Sequence, residues 1–168
     1  MKFFKVSFTQ FEKDIEERLE KSGIAIPDLR QSYEDIKLPI RATKGSAGYD
    51  FFAPFDFSLA QGQSICVPTG IRAKMENNIV LLLAPRSSLG FKYRMQLDNT
   101  IGVIDADYFG AKNEGHIMIK ITNDSKDGSL MKVEKGKAFA QGIFLKYEIT
   151  EDDVCEKVRT GGEGSSDS

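Results

Sequence analysis

From Leu38 onward the chain is made of short apolar or alternating segments that are separated by Gly, Pro, Asn and Asp. The segments are residues 49–53, 64–68, 71–75, 79–84, 100–104, 115–122, 130–133 and 139–147. Segments of this length and spacing are typical of antiparallel strands joined by turns, and not of strands that alternate with helices. The sequence therefore predicts an all-β fold, a distorted sandwich or jelly roll.

Segment 115–122 shows the clearest alternation, because its isoleucines at positions 117, 119 and 121 share one face. His116, Met118 and Lys120 occupy the other face. His116 is the only histidine in the chain, and a lone histidine is more often a surface or interface residue than a catalytic one. We therefore expect His116 at a surface or an interface.

The first 37 residues follow a different pattern. Residues 4–8 alternate like a half-buried strand, and residues 9–12 (Thr-Gln-Phe-Glu) have the spacing of a helix-starting capping box. Phe11, Ile15 and Leu19 then form an apolar stripe, and Ser22 with Gly23 can end the helix. We expect a strand and a helix that pack on the main body and take no part in chemistry.

Composition limits the kinds of partner that this chain can have. A chain of 168 residues with 40% hydrophobic and 29% charged residues resembles one soluble globular domain, and its net charge of −2 lacks the basic surface of nucleic-acid-binding proteins. Lys5, Gln10 and Glu12 interrupt the N-terminal apolar residues, so we expect no signal peptide, no membrane partner and a cytoplasmic location. Cys66 and Cys155 lack the spacing of a metal site, and we expect reduced thiols.

Three segments carry residues that suit chemistry better than packing. Residues 102–110 (GVIDADYFG) place two carboxylates and a tyrosine after an apolar run, and carboxylates resist burial unless they are paired. We expect Asp105 at the rim where the strand ends, although an acidic turn closed by Gly110 is also compatible. Residues 47–53 (AGYDFFA) and 85–90 (PRSSLG) are the others. In the latter, a guanidinium and two hydroxyls suit a phosphate, and an ordinary turn is the alternative.

In this order the three segments resemble the first three motifs of the trimeric dUTPase family, which hydrolyses dUTP to dUMP and pyrophosphate. Residues 136–144 (GKAFAQGIF) resemble its fourth motif, and residues 159–166 (RTGGEGSS) its C-terminal fifth. The resemblance implies a dUTPase-type jelly roll at residues 38–158, an N-terminal extension at 1–37 and a flexible C-terminal arm at 159–168. It also implies a homotrimer whose sites are shared between subunits.

The resemblance assigns roles at the nucleoside. Asp105 would be the catalytic base that activates a water for attack on the α-phosphorus, and Tyr108 would lie against the deoxyribose and exclude a 2′-hydroxyl. The hairpin at residues 96–101 would read uracil through its backbone, with further substrate contacts from Asn99, Val103, Ile104 and Met118.

The resemblance assigns a second group of residues to the triphosphate. Arg86, Ser87, Ser88 and Gln141 would bind phosphates, and Arg159 would reach the γ-phosphate as the arm closes with Gly161 and Gly162. Asp50 would hold waters of a Mg²⁺ ion that the phosphates chelate.

This sequence departs from the family pattern at three positions. Many relatives have glycine where Ser88 stands, and the basic residue of the fourth motif is Ala138, with Lys137 one place earlier. Glu163 stands in place of the aromatic that stacks on uracil, an interaction worth about 1–3 kcal/mol.

Two other functions are compatible with the same segments. The first is a dCTP deaminase, or a bifunctional deaminase, of the same fold, whose second motif also reads RSSL; alignment puts Lys120 where that family has its catalytic glutamate, and a lysine cannot accept the proton. The second is a nucleotide-sensing relative without turnover, prompted by Glu163 and Ala138. Asp50, Asp105 and Tyr108 favour the hydrolase.

Overall fold

The computed structural model describes residues 1–22, 24–157, 159 and 161. Its helices are α1 (Phe8–Ser22), α2 (Leu29–Glu34), α3 (Ser87–Tyr93) and a short 3₁₀ helix (Ala106–Gly110). The first six strands are β1 (Lys2–Lys5), β2 (Ile40–Arg41), β3 (Tyr49–Phe52), β4 (Phe57–Leu59), β5 (Ser64–Pro68) and β6 (Ile71–Lys74). The others are β7 (Ile79–Pro85), β8 (Gln96–Leu97), β9 (Gly102–Ile104), β10 (Met118–Thr122), β11 (Met131–Val133) and β12 (Ala138–Lys146).

The strands form four antiparallel sheets within the described residues. The largest has the order β2-β3-β12-β7-β9, a second has the order β5-β10-β8, and β1–β6 and β4–β11 are two-stranded. The predicted all-β jelly-roll fold is confirmed. Neighbours in sheet order are often distant in sequence, as β12 and β3 are, so the site described below is assembled from several parts of the chain.

The core lies between the inner faces of these sheets. The alternation predicted for β10 is confirmed, because Ile119 and Ile121 are buried and Lys120 is exposed. At Gly142 the packing leaves no room for a side chain: a Cβ there would lie 2.8 Å from Leu81 Cδ1 and 2.9 Å from Phe51 Cε2. Glycine at this point lets β12 approach the aromatic and aliphatic core closely.

The N-terminal strand and helix are present with shifted boundaries. The strand covers Lys2–Lys5 rather than residues 4–8 and pairs with β6. The helix begins at Phe8, because the Ser7 hydroxyl accepts a hydrogen bond from the Gln10 N–H and caps the first turn. The predicted apolar stripe is confirmed, since its three residues are fully buried and α1 packs against β5.

Other boundaries differ for local reasons. The strand predicted from Thr100 begins at Gly102, since Thr100 has a φ of 65° in the left-handed region, which belongs to a turn. Residues 87–90, for which a turn was an alternative, form the first part of α3. The sequence pattern missed α2 and the short strands β2, β4 and β8, which contain too few residues to show a period.

The expectation for His116 is wrong. Its side chain is fully buried and contacts α1, and it precedes β10 instead of lying on an outer strand face. The alternation of residues 115–122 put His116 on the exposed face, but the strand begins only at Met118. The helix α1, which covers His116, is distant from it in sequence.

Cys66 and Cys155 do not form a disulfide with each other. Among the described residues, no helix is long and apolar enough to span a membrane.

We expect Phe51→Ala to lower the free energy of unfolding by about 3–5 kcal/mol, because it removes a fully buried ring and leaves a cavity. Phe91→Ala removes a ring of the same size that is 93% exposed, and its effect should stay within about 0.5 kcal/mol. Urea unfolding at one protein concentration measures both changes. Equal losses would contradict the placement of Phe51 in the core.

Candidate functional site

Two clefts bring together most of the residues that the sequence singled out. The first has a volume of about 470 Å³. Its lining residues are Leu83, Leu97, Asp98, Asn99, Gly102, Val103, Ile104, Asp105, Tyr108, Met118, Ile119, Lys120 and Arg159. The second has a volume of about 510 Å³ and is lined by Ala42, Ser46, Ala47, Gly48, Asp50, Arg86, Ser87, Ser88, Gln141 and Ile143.

The end of β9 positions the carboxylates of the first cleft. β9 pairs with β7, and Asp105 follows its last residue and precedes the 3₁₀ helix. Asp105 is therefore at a rim, as predicted, with a side chain about half exposed (51%). A carboxylate so placed stays hydrated and accessible to a ligand.

Arg159 joins the two carboxylates of this segment. Its Nη2 lies 2.8 Å from Asp105 Oδ2 and its Nε lies 2.9 Å from Asp107 Oδ1. The guanidinium also lies 5.8 Å from the centre of the Tyr108 ring. One cation therefore partly neutralises two half-exposed anions at the mouth of the cleft.

Tyr108 is one of the residues that line the first cleft, and its side chain is almost fully buried. Its hydroxyl donates a hydrogen bond of 2.8 Å to the His116 carbonyl and accepts one of 2.8 Å from Asn113 Nδ2. A ring held at both its hydroxyl and its backbone is a rigid surface against which a ligand can pack.

The turn between β8 and β9 carries one partner of an ion pair that the sequence reasoning did not assign to the site, and β10 carries the other. Lys120 Nζ lies 2.8 Å from Asp98 Oδ2, and the Thr122 hydroxyl donates to Asp98 Oδ1. Burial acts to raise the pKa of Asp98, but the hydrogen bonds from Lys120 and Thr122 outweigh it and lower the pKa below its ordinary value. The signal in the sequence was weak, since β8 has only two residues.

Strand pairing in the largest sheet builds the second cleft. Asp50 on β3 pairs with Gln141 on β12, which pairs in turn with Ala84 on β7. Because β7 ends at Pro85, the next residue, Arg86, reaches back to Asp50, with its Nε 3.2 Å from Asp50 Oδ1. The cleft thus contains a carboxylate, Asp50, and a guanidinium, Arg86, that already form an ion pair.

The side chain of Gln141 is oriented by its neighbours. Its Nε2 donates to the Pro85 carbonyl at 3.1 Å, and its Oε1 lies over Gly48, where a Cβ would come within 2.5 Å of it. Gly48 is therefore needed for this orientation. Ser87 and Ser88, the first residues of α3, are exposed beside it.

The structure divides the predicted site residues between the two clefts. Asn99, Val103, Ile104, Asp105, Tyr108, Met118 and Arg159 line the first, and Asp50, Arg86, Ser87, Ser88 and Gln141 line the second. Gly161 and Lys137 line neither, and Gly162 and Glu163 lie outside the described residues. No lining residue is shared, so each cleft of one chain contains only part of the predicted site.

The donor set of the second cleft decides what kind of metal could bind there. The described residues contain no group of three His, Cys, Asp or Glu side chains that could hold a metal ion. Asp50 is the one carboxylate in the lining of this cleft. A single carboxylate beside a guanidinium and two hydroxyls suits a Mg²⁺ ion that keeps its waters and is carried by a substrate.

Comparison with known proteins agrees with the resemblance seen in the sequence. A family model for dUTPase matches residues 34–168. The chain is 37% identical over 134 residues to the deoxyuridine 5′-triphosphate nucleotidohydrolase of Lactococcus lactis, covering 78% of this chain and 88% of that protein. The crystal structure of dUTPase from Streptococcus mutans is similar with a TM-score of 0.61 and 36% identity, over 68% of this chain and 88% of that one.

A more distant structure shares the fold alone. It is a dUTPase from phage phi11 of S. aureus in which a structural Mg(II) ion is coordinated, with a TM-score of 0.59 and 22% identity over 74% of this chain and 92% of that one.

We expect Asp98→Asn to lower the free energy of unfolding by about 0.5–1 kcal/mol at pH 7, because the ion pair with Lys120 is partly exposed and screened. The lowered pKa of Asp98 means that this contribution is fully present above its unfolded pKa of about 3.9 and is lost as the pH falls through its lower folded-state pKa. In urea unfolding, the difference between Asp98→Asn and the wild type should therefore be smaller at pH 3 than at pH 7. Asp152→Asn, an exposed control, should match the wild type at both; an unchanged pH 7 stability of Asp98→Asn would contradict the ion pair.

Proposed function

This chain belongs to the dUTPase family, and from that premise we propose that it hydrolyses dUTP to dUMP and pyrophosphate. The observation that carries the proposal is the half-exposed Asp105 beside the buried ring of Tyr108 in a cleft of about 470 Å³. Removal of dUTP by this reaction would limit uracil in DNA, and the product dUMP would be available for dTMP synthesis.

Asp105 is the catalytic base in this proposal. Its carboxylate accepts a hydrogen bond from a water molecule and orients it toward the α-phosphorus. As the new P–O bond forms, the proton of the water passes to Asp105 and the bond to the pyrophosphate oxygen breaks. Orientation must supply much of the effect, because an ordinary aspartate is a weak base.

The pair between Arg159 and Asp105 must open before this step. An Asp105 oxygen that accepts from Nη2 of Arg159 is less available to a water. The triphosphate carries more negative charge than the two carboxylates, so its oxygens compete for the guanidinium. We propose that Arg159 transfers to the γ-phosphate, where Gly161 and Gly162 allow the arm to close, and so releases the base.

The nucleoside is read in the first cleft. Backbone amides and carbonyls of residues 96–101, the segment between β10-paired β8 and β7-paired β9, match O4 and N3–H of uracil, and cytosine would leave them unpaired, which is a strong form of discrimination. Asn99, Val103, Ile104 and Met118 line the same cleft. Tyr108 packs against the deoxyribose, where its ring leaves no space for a 2′-hydroxyl.

The triphosphate is bound by the second cleft. Arg86, Ser87, Ser88 and Gln141 present donors to phosphate oxygens, and Asp50 accepts hydrogen bonds from water on a bound Mg²⁺ ion. When present, this ion neutralises phosphate charge and holds the chain of phosphates in one conformation. Arg86 is held by Asp50 beforehand, so its guanidinium is already oriented.

The division of the site residues supports a shared site. The first cleft, lined by β9, β10 and the turn before β9, has the base and nucleoside residues, and the second, lined by β3, β12 and the start of α3, has the phosphate residues. We propose a homotrimer in which the first cleft of one subunit faces the second cleft of the next, a head-to-tail contact that closes into a ring. The catalytic domain would comprise residues 38–158, between an extension at 1–37 and an arm at 159–168.

Deamination of dCTP is disfavoured because Lys120 stands where that reaction needs a group that accepts a proton. Its ammonium pairs with Asp98 and lines the cleft in which that reaction would need a proton acceptor.

We expect the purified protein with Mg²⁺ to release pyrophosphate from dUTP and not from the other deoxynucleoside triphosphates, and a chelator to abolish the release. Asp105→Asn should retain nucleotide binding and lose turnover by about 10²–10⁴-fold, because the base is removed and the shape is kept. Kinetics of pyrophosphate release and calorimetry of nucleotide binding measure the two effects.

Asp107→Asn is the matched control, since Asp107 is the neighbouring carboxylate on the same arginine. A half-exposed pair contributes at most about 1 kcal/mol, so turnover should change by less than about fivefold. Ammonia from dCTP, or full turnover by Asp105→Asn, would overturn the assignment.

Mixing two inactive variants tests the shared site. If a site takes Asp105 from one subunit and Arg86 from the next, refolding Asp105→Asn with Arg86→Ala in equal amounts should restore about one quarter of wild-type activity, because random assembly leaves about one quarter of the sites intact. Mixing the folded proteins without exchange of subunits is the control. A refolded mixture that stays inactive would contradict shared sites.

A further inference from the structure

The tyrosine loop, residues 106–117, connects the proposed base and sugar-binding residues to β10. Three contacts hold the loop: two come from the N-terminal residues Ser7 and Asp14, and the third comes from Arg72 on β6 together with Phe4 of β1. These N-terminal residues precede the match to the family model, which begins at residue 34.

The first point is a buried hydrogen bond between α1 and His116. The His116 Nε2 accepts from the Gly70 N–H at 2.7 Å, so the ring proton resides on Nδ1 and is donated to Asp14 Oδ2 at 2.6 Å. Asp14 also accepts from Gln10 Nε2 at 2.7 Å. His116 is in turn the residue whose carbonyl accepts from the Tyr108 hydroxyl.

Asp14 is suited to remain an acceptor at neutral pH. Burial acts to raise its pKa, but hydrogen bonds from His116 and Gln10 and the attraction of nearby Arg18 hold the pKa below its ordinary value. Removing this acceptor would leave a buried N–H on His116 without a partner, which is unfavourable and loosens the contact between α1 and the loop.

The second point joins the start of α1 to the tight turn of the loop. The Glu114 carboxylate accepts from the Ser7 N–H at 2.8 Å and from the Ser7 hydroxyl at 2.6 Å. Glu114 and Gly115 both have positive φ, at 59° and 68°. A non-glycine residue in that region is strained, and the contacts of Glu114 with Ser7 compensate for the strain.

The third point is Arg72 on β6, the strand that pairs with β1. Its guanidinium lies 3.7 Å from the centre of the Phe109 ring, and its Nη2 donates to the Phe109 carbonyl. Phe4 of β1 packs on the same ring, 5.8 Å between centres. Phe109 follows Tyr108 directly, so this contact holds the same end of the loop.

We propose that Asp14 and Glu114 are positioning residues for the reaction. Asp14 acts through His116 and Glu114 acts through the turn at Gly115, and together they hold the Tyr108 ring in the position that admits a deoxyribose and excludes a ribose. The inference rests on the proposed function, since it needs Tyr108 to contact the sugar. Neither residue touches the cleft itself. Both act through the loop, and a displacement of about 1 Å at a binding surface can change rates by up to about 10²-fold.

The ratio of kcat/KM for dUTP to kcat/KM for UTP tests the role. We expect Asp14→Ala to lower this ratio by about tenfold, because a loosened ring no longer excludes the 2′-hydroxyl. Partial unfolding lowers both constants by one factor and leaves their ratio unchanged, so a merely structural role would not move it. Glu114→Ala should lower the ratio in the same direction.

Matched variants separate the contact from the charge and the helix. Asp14→Asn keeps an oxygen acceptor for the His116 Nδ1–H and should restore most of the ratio. Glu16→Ala changes an exposed residue of the same helix and should leave it at the wild-type value. If Asp14→Ala does not fold, the loss of the dUTP/UTP ratio is measured with Glu114→Ala, and Asp14→Asn serves as the folded variant of Asp14.

Amide hydrogen exchange of residues 108–117 is the readout that does not need activity. We expect faster exchange in Asp14→Ala and Glu114→Ala and wild-type exchange in Glu16→Ala. Faster exchange with an unchanged dUTP/UTP ratio would overturn the positioning role. Unchanged exchange would show that the contacts of Asp14 and Glu114 do not hold the loop, and would overturn the proposal as well. A wild-type protein that does not hydrolyse dUTP at all would instead overturn the proposed function, whatever the exchange shows.

Discussion

The pairing of β7 with β12 on one side and β9 on the other determines where both clefts lie. On its β9 side, β7 fixes residues 102–104 and therefore the point at which Asp105 leaves the sheet. On its β12 side, β7 places Ala84 opposite Gln141, which is opposite Asp50 on β3. Because β7 ends at Pro85, the next residue, Arg86, lies close enough to pair with Asp50. A shift of one residue in this register would turn each of these side chains to the opposite face.

Charge is the second constraint on the site. Each cleft holds its ionisable groups in pairs: Arg159 with Asp105 and Asp107, Lys120 with Asp98, and Arg86 with Asp50. Paired charges at a half-exposed surface cost little to keep and are already in place when an anionic substrate arrives. A triphosphate with its metal ion would exchange partners with these groups instead of ordering them anew.

The N-terminal strand and helix have no described residue in the lining of either cleft, yet they contact the loop that carries Tyr108. α1 packs on β5 through its apolar stripe, and that burial holds Ser7 and Asp14 where they meet the tyrosine loop. A buried polar network specifies one arrangement of a loop more sharply than apolar contacts do, since each unpaired member is penalised. The loop here includes two residues in the left-handed region, where such support is needed most.

The sequence by itself determined the fold class, most of the segments that line the two clefts and the stripe of α1, because strand alternation, helix periodicity and motif order are local in the chain. It put Asp105 at a strand end and Arg86 after a buried strand for the same reason. Tertiary structure alone decided that His116 is buried under Asp14, that Asp98 and Lys120 line a cleft, and that the motifs divide between two clefts. Each of these depends on contacts between residues far apart in the chain, such as the 102 positions between Asp14 and His116, and no local pattern encodes such a pairing.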